Sequence, residues 1–208
     1  MKKKIATIAL VSLLAISTVF AGGLFKKPAK SGPEISVGLT TGFDQEIMNT
    51  EHTSTSFNAV PVKVTGIIGI TDNFAVGANL GMGINLAADE YLDKTRVGFA
   101  ADVLAYYVLP ATDSLNIYIG GGFGYDYINY INEKNLKHSM HTLDIVIDAK
   151  TAFEVTDHVE IMGGVNLGFD VLKSLTHKVA NTRLDSTNAL ENTFGMQWGI
   201  NVGAAYKF

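Results

Sequence analysis

Apolar residues alternate with small or polar residues through most of this chain, and the alternation is clearest at its end. In the last fifteen residues, FGMQWGINVGAAYKF, one alternate set is apolar or aromatic and the other holds Gly, Gln, Asn, Ala and Lys. A β-strand sends successive side chains to opposite faces, so this pattern predicts a strand with one apolar face and one small or polar face. Such a strand needs an apolar medium on one side only.

The same period of two recurs in eight segments. They begin near residues 33, 57, 74, 96, 115, 140, 159 and 194. Short turn signals, such as Thr71-Asp72-Asn73, follow the second, fourth and sixth segments. Long polar stretches follow the others, at residues 44–56, 85–95, 129–139 and 172–193. Segments of about 11 to 15 residues are longer than most strands of soluble sheets. Alternating short turns and long loops are typical of transmembrane barrels.

The two predicted faces differ in chemistry. The outward set of the second segment, for example, is Val60, Val62, Val64, Ile68 and Ile70. Most strand glycines and the charged residues fall on the opposite, inward face, which holds Glu34, Lys63, Arg96, Asp102, Asp126, Asp144, Asp148, Lys150, Glu154, Glu160, Asp170 and Lys207. A charge on a lipid-facing surface costs a few kcal/mol, so this segregation favours a barrel in a membrane. We expect the inward charges to pair with one another and plug a narrow lumen.

The N-terminus has the three parts of a secretory signal peptide: the basic start MKKK, an apolar run over residues 5–20, and the small-residue site Val19-Phe20-Ala21. We therefore predict a cleaved leader over residues 1–21, a flexible linker over 22–32 and a barrel over 33–208. An uncleaved anchor is the alternative, although the run is shorter than the roughly 18 to 20 residues of a spanning helix.

Charge and composition exclude several functions. The chain has a net charge of −4, and loss of the three leader lysines would make it −7. No basic cluster beyond Lys26, Lys27 and Lys30 offers a footprint for nucleic acid. The absence of cysteine excludes disulfides, thiolate metal sites and a lipoprotein anchor.

Candidate chemistry is sparse, and we predict no catalytic, cofactor-binding or metal site. The glycine-rich run at residues 120–124 lacks the Gly-Lys-Ser/Thr ending of a phosphate loop. His138 and His141 are three apart, so in a strand they face opposite ways, whereas in a loop they could share a metal. Asp113-Ser114 and Asp185-Ser186 have residue types used by lipid A-modifying barrel enzymes, but no histidine is suitably placed in the same strand.

The leader, the eight alternating segments, the Thr71-Asp72-Asn73-Phe74 turn and the terminal Phe208 together resemble the small eight-stranded outer-membrane proteins of the OmpX, OmpA-domain, opacity and OmpW-like group. The resemblance implies an all-β, antiparallel, up-and-down barrel in the outer membrane, with extracellular loops and periplasmic termini. It also implies that Phe208 is the signal read by the barrel assembly machinery.

Two functions remain open at this point. The first is a non-enzymatic surface barrel with a structural, adhesive or host-contact role, whose partners are outer-membrane lipid and surface ligands at the loops. The alternative is an OmpW-like narrow channel for small hydrophobic molecules, and a lipid A-modifying enzyme is a minor alternative. The many inward glycines make a slender path through the lumen physically feasible.

Overall fold

The computed structural model describes residues 34–49, 53–88, 97–131, 137–179, 182–187 and 195–208. The predicted leader and linker lie outside the described residues, as do Arg96 and Phe194. Nine strands are present in the described ranges: β1 (Ile35–Asn49), β2 (Thr53–Thr71), β3 (Phe74–Ala88), β4 (Val97–Thr112), β5 (Leu115–Ile131), β6 (Lys137–Thr156), β7 (Val159–Val179), β8 (Thr182–Thr187) and β9 (Gly195–Lys207). None of the described residues forms a helix that is long and apolar enough to cross a membrane.

Eight of these strands close into a barrel in which every neighbouring pair is antiparallel. Strands β1 to β7 pair in sequence order, and β9 closes the barrel by pairing with β7 on one side and β1 on the other. The β1–β9 seam is continuous from Ser36↔Lys207 to Met48↔Gly195. Closure leaves no unpaired edge, as a lipid environment requires. The predicted eight-stranded up-and-down barrel is confirmed.

One end of the barrel carries three tight turns, and we call it the turn end; the opposite end is the loop end. The turns are Asp72-Asn73, Asp113-Ser114 and Asp157-His158. A threonine precedes each turn, and its hydroxyl accepts a hydrogen bond of 3.3–3.4 Å from the backbone N–H two residues later. The repeated Thr-Asp pair therefore sets the turn locally, through side-chain bonds to backbone. Glu34 and Phe208 lie at this end as well.

The strands extend further toward the loop end than the sequence indicates. Residues 44–49, 53–56, 85–88, 129–131, 137–139 and 172–179 were predicted to be loop, but they belong to β1, β2, β3, β5, β6 and β7. Part of the last predicted loop forms β8, which pairs with the outer end of β7. These predictions were wrong because apolar alternation marks where one face meets an apolar medium, while hydrogen-bonded pairing continues beyond that point.

The prediction that Val60 faces outward was also wrong. Val60 is only 7% exposed and faces the lumen, whereas Val62 and Val64 face outward. The pairing of β2 with β3 passes from Ala59↔Ile84 directly to Val62↔Met82, so an extra residue is accommodated at Val60 and Pro61. A bulge reverses the alternation on its far side. Proline favours such an interruption because it has no N–H to donate to the ladder.

Candidate functional site in the barrel lumen

The outer surface of the barrel is apolar, which makes the lumen the place to look for polar chemistry. Leu39, Val103 and Phe123 are 63–69% exposed on the outer face. Aromatic pairs mark both ends: Phe43 stacks on Phe57 toward the loop end, and Tyr206 meets Phe208 at the turn end. A continuous exposed apolar surface indicates contact with lipid or protein rather than water. Most of the residues predicted to face outward are exposed in the described part of the chain, but Val60 and Ile117 are each only 7% exposed.

At the turn end, a lysine lies among three glutamates. The Lys207 Nζ is 2.7 Å from Glu154 Oε1, 3.2 Å from Glu34 Oε1 and 3.8 Å from Glu160 Oε1. The Ser36 hydroxyl donates to Glu160 Oε2 at 3.1 Å. These residues come from β6, β7, β9 and the start of β1, so the cluster ties the closing seam together. We call it the glutamate cluster.

The glutamate cluster has the geometry of a cation site that is already filled by an ammonium group. Among the residues that the structure describes, its three carboxylates have oxygen atoms within 4.8 Å of one another. The Lys207 side chain is buried and supplies the positive charge at this point. An internal ion pair of this kind is satisfied without a metal.

Above this cluster an apolar layer fills the lumen. Its largest members are Leu104 and Tyr106, each 1% exposed. The ring of Tyr106 meets Tyr118 edge to face at 5.9 Å, and the Lys150 ammonium lies 4.9 Å from its centroid. A Cβ added at Gly77 would come within 2.7 Å of the Tyr106 ring, and one at Gly120 within 2.5 Å. The glycines of neighbouring strands therefore make room for this tyrosine.

Sequence analysis missed the apolar layer because it assigned polar and small residues to the inward face. The cluster contains Ala205, which was predicted to face inward, and the missed residues Ile67, Ala75, Leu104, Tyr106, Val108, Tyr118, Val146, Ala152 and Met162. A signal is present in the sequence: residues 103–109 read VLAYYVL, which is apolar at both alternate sets. A strand that is apolar on both faces is typical of one buried on both faces.

A polar layer follows toward the loop end. The Thr65 hydroxyl donates to Asn79 Oδ1 at 3.0 Å, and Asn79 Nδ2 donates to Asp102 Oδ2 at 3.1 Å. Lys63 Nζ is 3.6 Å from the same Asp102 oxygen. A second ion pair joins Lys150 Nζ to Asp148 Oδ1 at 3.5 Å. The expected pairing of inward charges is therefore seen for the lysines in this layer.

Closest to the loop end, three aspartates meet inside the barrel. Gln197 Nε2 donates to Asp126 Oδ2 at 2.8 Å and to Asp144 Oδ2 at 3.3 Å. Asp144 is opposite Asp170 in the β6–β7 register, and the Gln197 amide joins it to Asp126. We call Asp126, Asp144 and Asp170 the aspartate cluster. A cavity of about 70 Å³ adjoins it, lined by Asp44, Glu46, Lys63, Asp126, Asp170 and Gln197 among others.

The structure also places the residues that the sequence singled out. Asp113-Ser114 forms a turn, and Gly120 to Gly124 lie within β5. His138 and His141 both lie in β6, and His141 Nδ1 is 2.6 Å from the Tyr125 hydroxyl. Asp185-Ser186 lies in β8, at the outer end of the barrel and away from the turn formed by Asp113-Ser114.

No family model matches the chain, and no curated protein does either. Solved structures do resemble it. The Neisserial surface protein A (NspA) has a TM-score of 0.55 at 11% identity over 88% of this chain and 100% of its own. OprG of Pseudomonas aeruginosa has a TM-score of 0.55 at 12% identity over 86% and 97%. AlkL, determined in lipid bilayers, has a TM-score of 0.55 at 12% identity over 89% and 97%. The fold is that of the small eight-stranded outer-membrane β-barrels.

Proposed function

We propose that the protein is a non-enzymatic surface barrel of the outer membrane whose lumen does not conduct. The observation that carries this proposal is the filled turn half of the lumen, where the apolar layer and the glutamate cluster lie one above the other. Leu104 and Tyr106 are almost fully buried there. Side chains packed to this degree exclude water and hydrated ions from the path. The apolar outer surface supports the membrane location.

Planar-bilayer recording tests this proposal. We expect the refolded wild-type protein to show no stable current steps. The double variant Leu104→Ala/Tyr106→Ala removes the largest side chains of the plug and is expected to produce steps. Val103→Ala/Tyr107→Ala is the matched control, because both residues lie on the same strand but face outward. Stable steps from the wild-type protein would overturn the proposal.

In this proposal the loop end faces the medium and mediates structural, adhesive or host contacts. The strands that extend past the apolar band, including the β7–β8 pair, would carry those contacts outside the membrane. Because the chain has no cysteine, a single introduced thiol reports on orientation. Ser186→Cys is expected to react with a membrane-impermeant maleimide on intact cells, while Asp157→Cys at the turn end reacts only after lysis. The reverse pattern would contradict this orientation.

A second function, passage of small hydrophobic molecules, is supported by the interruption in β2. Val60 and Pro61 are skipped in the pairing with β3, and a Cβ added at the facing Gly83 would meet no atom within 4 Å. The cavity reaches this part of the wall, where Met82 and Gly83 line it. Its carboxylates disfavour an apolar solute, which is why the surface-barrel function ranks first.

The second function predicts that closing this interruption blocks transport. Pro61→Val restores a backbone donor, and Gly83→Val fills the open space beside it. Uptake of an apolar fluorescent probe into vesicles should then fall to the level of protein-free vesicles. Gly66→Val is the control, because a Cβ there also meets no atom within 4 Å but the position lies outside the interruption. Uptake that is equal in all variants would exclude this function.

A further inference from the structure

The outer face of the barrel carries a polar group where β5 pairs with β6. Tyr127 is directly opposite His141, and their ring centroids are 4.9 Å apart. The Nδ1 atom of His141 is 2.6 Å from the hydroxyl oxygen of Tyr125. The sequence neighbours Met140 and Thr142 are each 5% exposed and face the lumen, so His141 faces outward. We call Tyr125, Tyr127 and His141 the histidine site.

The hydrogen bond within the histidine site leaves one donor unused. A tyrosine hydroxyl has one O–H donor and a neutral imidazole has one N–H donor. The bond between Tyr125 and His141 uses one of these protons, whichever atom donates it. The other proton has no acceptor among the residues that the structure describes. Trp198 differs, because its Nε1–H already donates to Gln45 Oε1 at 2.8 Å. The histidine site can therefore donate a hydrogen bond to a group outside the protein.

The surface between the histidine site and the turn end is apolar. The outward side chains of Phe123, Ile145 and Ile147 are 47–66% exposed. Gly121 pairs with Ile147 and has no side chain, so a shallow groove lies beside Phe123. Tyrosine rings concentrate at the level of lipid headgroups, where one side is apolar and the other is wet. A polar site above an apolar groove therefore matches a membrane lipid, which has a polar headgroup above an acyl chain.

The chemistry of the histidine site favours an anionic headgroup. Asp126 lies between the two tyrosines in the sequence, but its carboxylate accepts from Gln197 inside the barrel. Asp144, on the neighbouring strand, is fully buried. A phosphate on the outer face would therefore meet an imidazole and two phenol rings, and the nearest described carboxylates lie on the other side of the wall. Hydrogen bonds to an ionised acceptor are shorter and stronger than those between neutral groups.

We propose that the histidine site binds a phosphate group of lipid A in the outer leaflet. His141 and Tyr125 hold a phosphate oxygen by hydrogen bonds, and an acyl chain of the same lipid lies along Phe123 over Gly121. The choice of leaflet rests on the proposed function, in which the loop end faces the medium. Binding of the purified lipid does not depend on that orientation. A reversed labelling pattern would thus overturn the orientation, whereas failure of the binding test would overturn the lipid site alone.

Native mass spectrometry of the refolded protein, titrated with lipid A in a non-ionic detergent, tests the proposal. We expect one lipid A molecule to stay bound to each wild-type barrel. His141→Phe keeps an aromatic ring but removes both ring nitrogens, and it is expected to weaken binding by about tenfold or more. His141→Gln keeps an N–H donor and is expected to bind lipid A more tightly than His141→Phe. Heat-modifiable migration on gels verifies that each variant is folded.

Trp198→Phe is the matched control, because it changes another aromatic N–H donor toward the loop end whose proton is already accepted by Gln45. This variant should bind lipid A as the wild type does. Lipid A from which the phosphates have been removed should bind the wild type as weakly as intact lipid A binds His141→Phe. Equal binding of the two lipids, or equal binding of lipid A by the wild type and His141→Phe, would overturn the proposal. Inorganic phosphate that stays bound without lipid would overturn the assignment to a lipid.

Discussion

The two ends of the lumen hold acidic clusters that differ in how their charge is balanced. At the turn end, Glu34, Glu154 and Glu160 surround the Lys207 ammonium at 2.7–3.8 Å. At the loop end, Asp126, Asp144 and Asp170 meet beside a cavity, and the lysine that reaches the cavity is paired with another aspartate. Each cluster has a carboxylate that is at most 1% exposed, Glu160 in one and Asp144 in the other, and a buried charge must be compensated locally.

The difference separates a structural role from a binding role. A cluster with its own ammonium is complete when the chain folds, and it stabilises the seam between β1 and β9. A cluster beside a cavity has room for water or a solute next to its carboxylates. Acidic residues thus brace the closing seam at one end of the lumen and line a cavity at the other. Substitutions that remove or supply charge in each cluster separate these roles.

Lys207→Met is expected to have the largest effect. It leaves the buried Glu160 and the partly exposed Glu34 and Glu154 without their cation, and removing one partner of a buried ion pair costs about 3 to 5 kcal/mol. The free energy of unfolding, measured by urea titration in lipid vesicles, should fall by this amount. Adding Glu154→Gln and Glu160→Gln to the same chain should recover most of the loss. A loss below about 1 kcal/mol would mean that the cluster behaves like an exposed ion pair.

Alanine substitutions at two glycines of β9 test the difference between the two ends through steric overlap. A Cβ at Gly203, in the turn half, would overlap the Leu39 backbone carbonyl across the seam, while one at Gly195 would overlap only the Asp170 carboxylate. Backbone atoms cannot move aside as a side chain can, so Gly203→Ala is expected to lower the free energy of unfolding by about 1 to 3 kcal/mol. Gly195→Ala should cost less stability, because the Asp170 side chain can move aside. Equal losses of stability would contradict this distinction.

Asp144→Asn is expected to have a smaller effect, of opposite sign to that of Lys207→Met. Removing one of two facing like charges should raise the free energy of unfolding, measured by urea titration, by about 0.5 to 1 kcal/mol. The matched variant Glu154→Gln, which removes a partner of Lys207, should lower it. A destabilised Asp144→Asn would show that the carboxyl group is protonated and donates a hydrogen bond.

Alternation along the sequence was enough to predict the barrel, its strand count and the faces of most residues. It placed Asp144 and Asp170 inside the barrel, because each lies in a segment whose other face is apolar. It did not predict that they face each other, since the stagger between strands depends on turn geometry and bulges elsewhere in the sheet. The aspartate cluster therefore depends on the register between β6 and β7, which the hydrophobic pattern does not determine.

Two further features were outside the reach of the pattern. The bulge at Pro61 reverses the alternation within β2, so Val60 was assigned to the wrong face. Leu104 and Tyr106 fill the lumen because Gly77 and Gly120 on the neighbouring strands leave room for the Tyr106 ring. Residues 103–109 are apolar at both alternate sets, which indicates that this strand is buried on both faces. The fit of Tyr106 against Gly77 and Gly120 joins residues far apart in the sequence, and a period-two count along one strand does not show it.

The smallest effect on the purified protein is expected at Phe208, next to the glutamate cluster. Its side chain is 72% exposed on the outer surface, and its backbone N–H donates to the Ile35 carbonyl at 2.9 Å. Phe208→Ala keeps this backbone bond and leaves Lys207 in place, whereas deletion would put a terminal carboxylate on Lys207 itself. The refolded fraction in detergent should stay close to that of the wild type.

In cells the same variant should behave differently, because we propose that the assembly machinery recognises the terminal aromatic residue. The amount of inserted, heat-modifiable barrel should fall strongly with Phe208→Ala and be restored with Phe208→Tyr. Tyr206→Ala is the matched control, since it removes an outward aromatic residue that packs against Phe208 but leaves the terminus intact. Unchanged insertion would mean that Phe208 is only an interfacial aromatic residue. If Phe208→Ala also failed to refold in detergent, Phe208 would act through the stability of the barrel, as the glutamate cluster does.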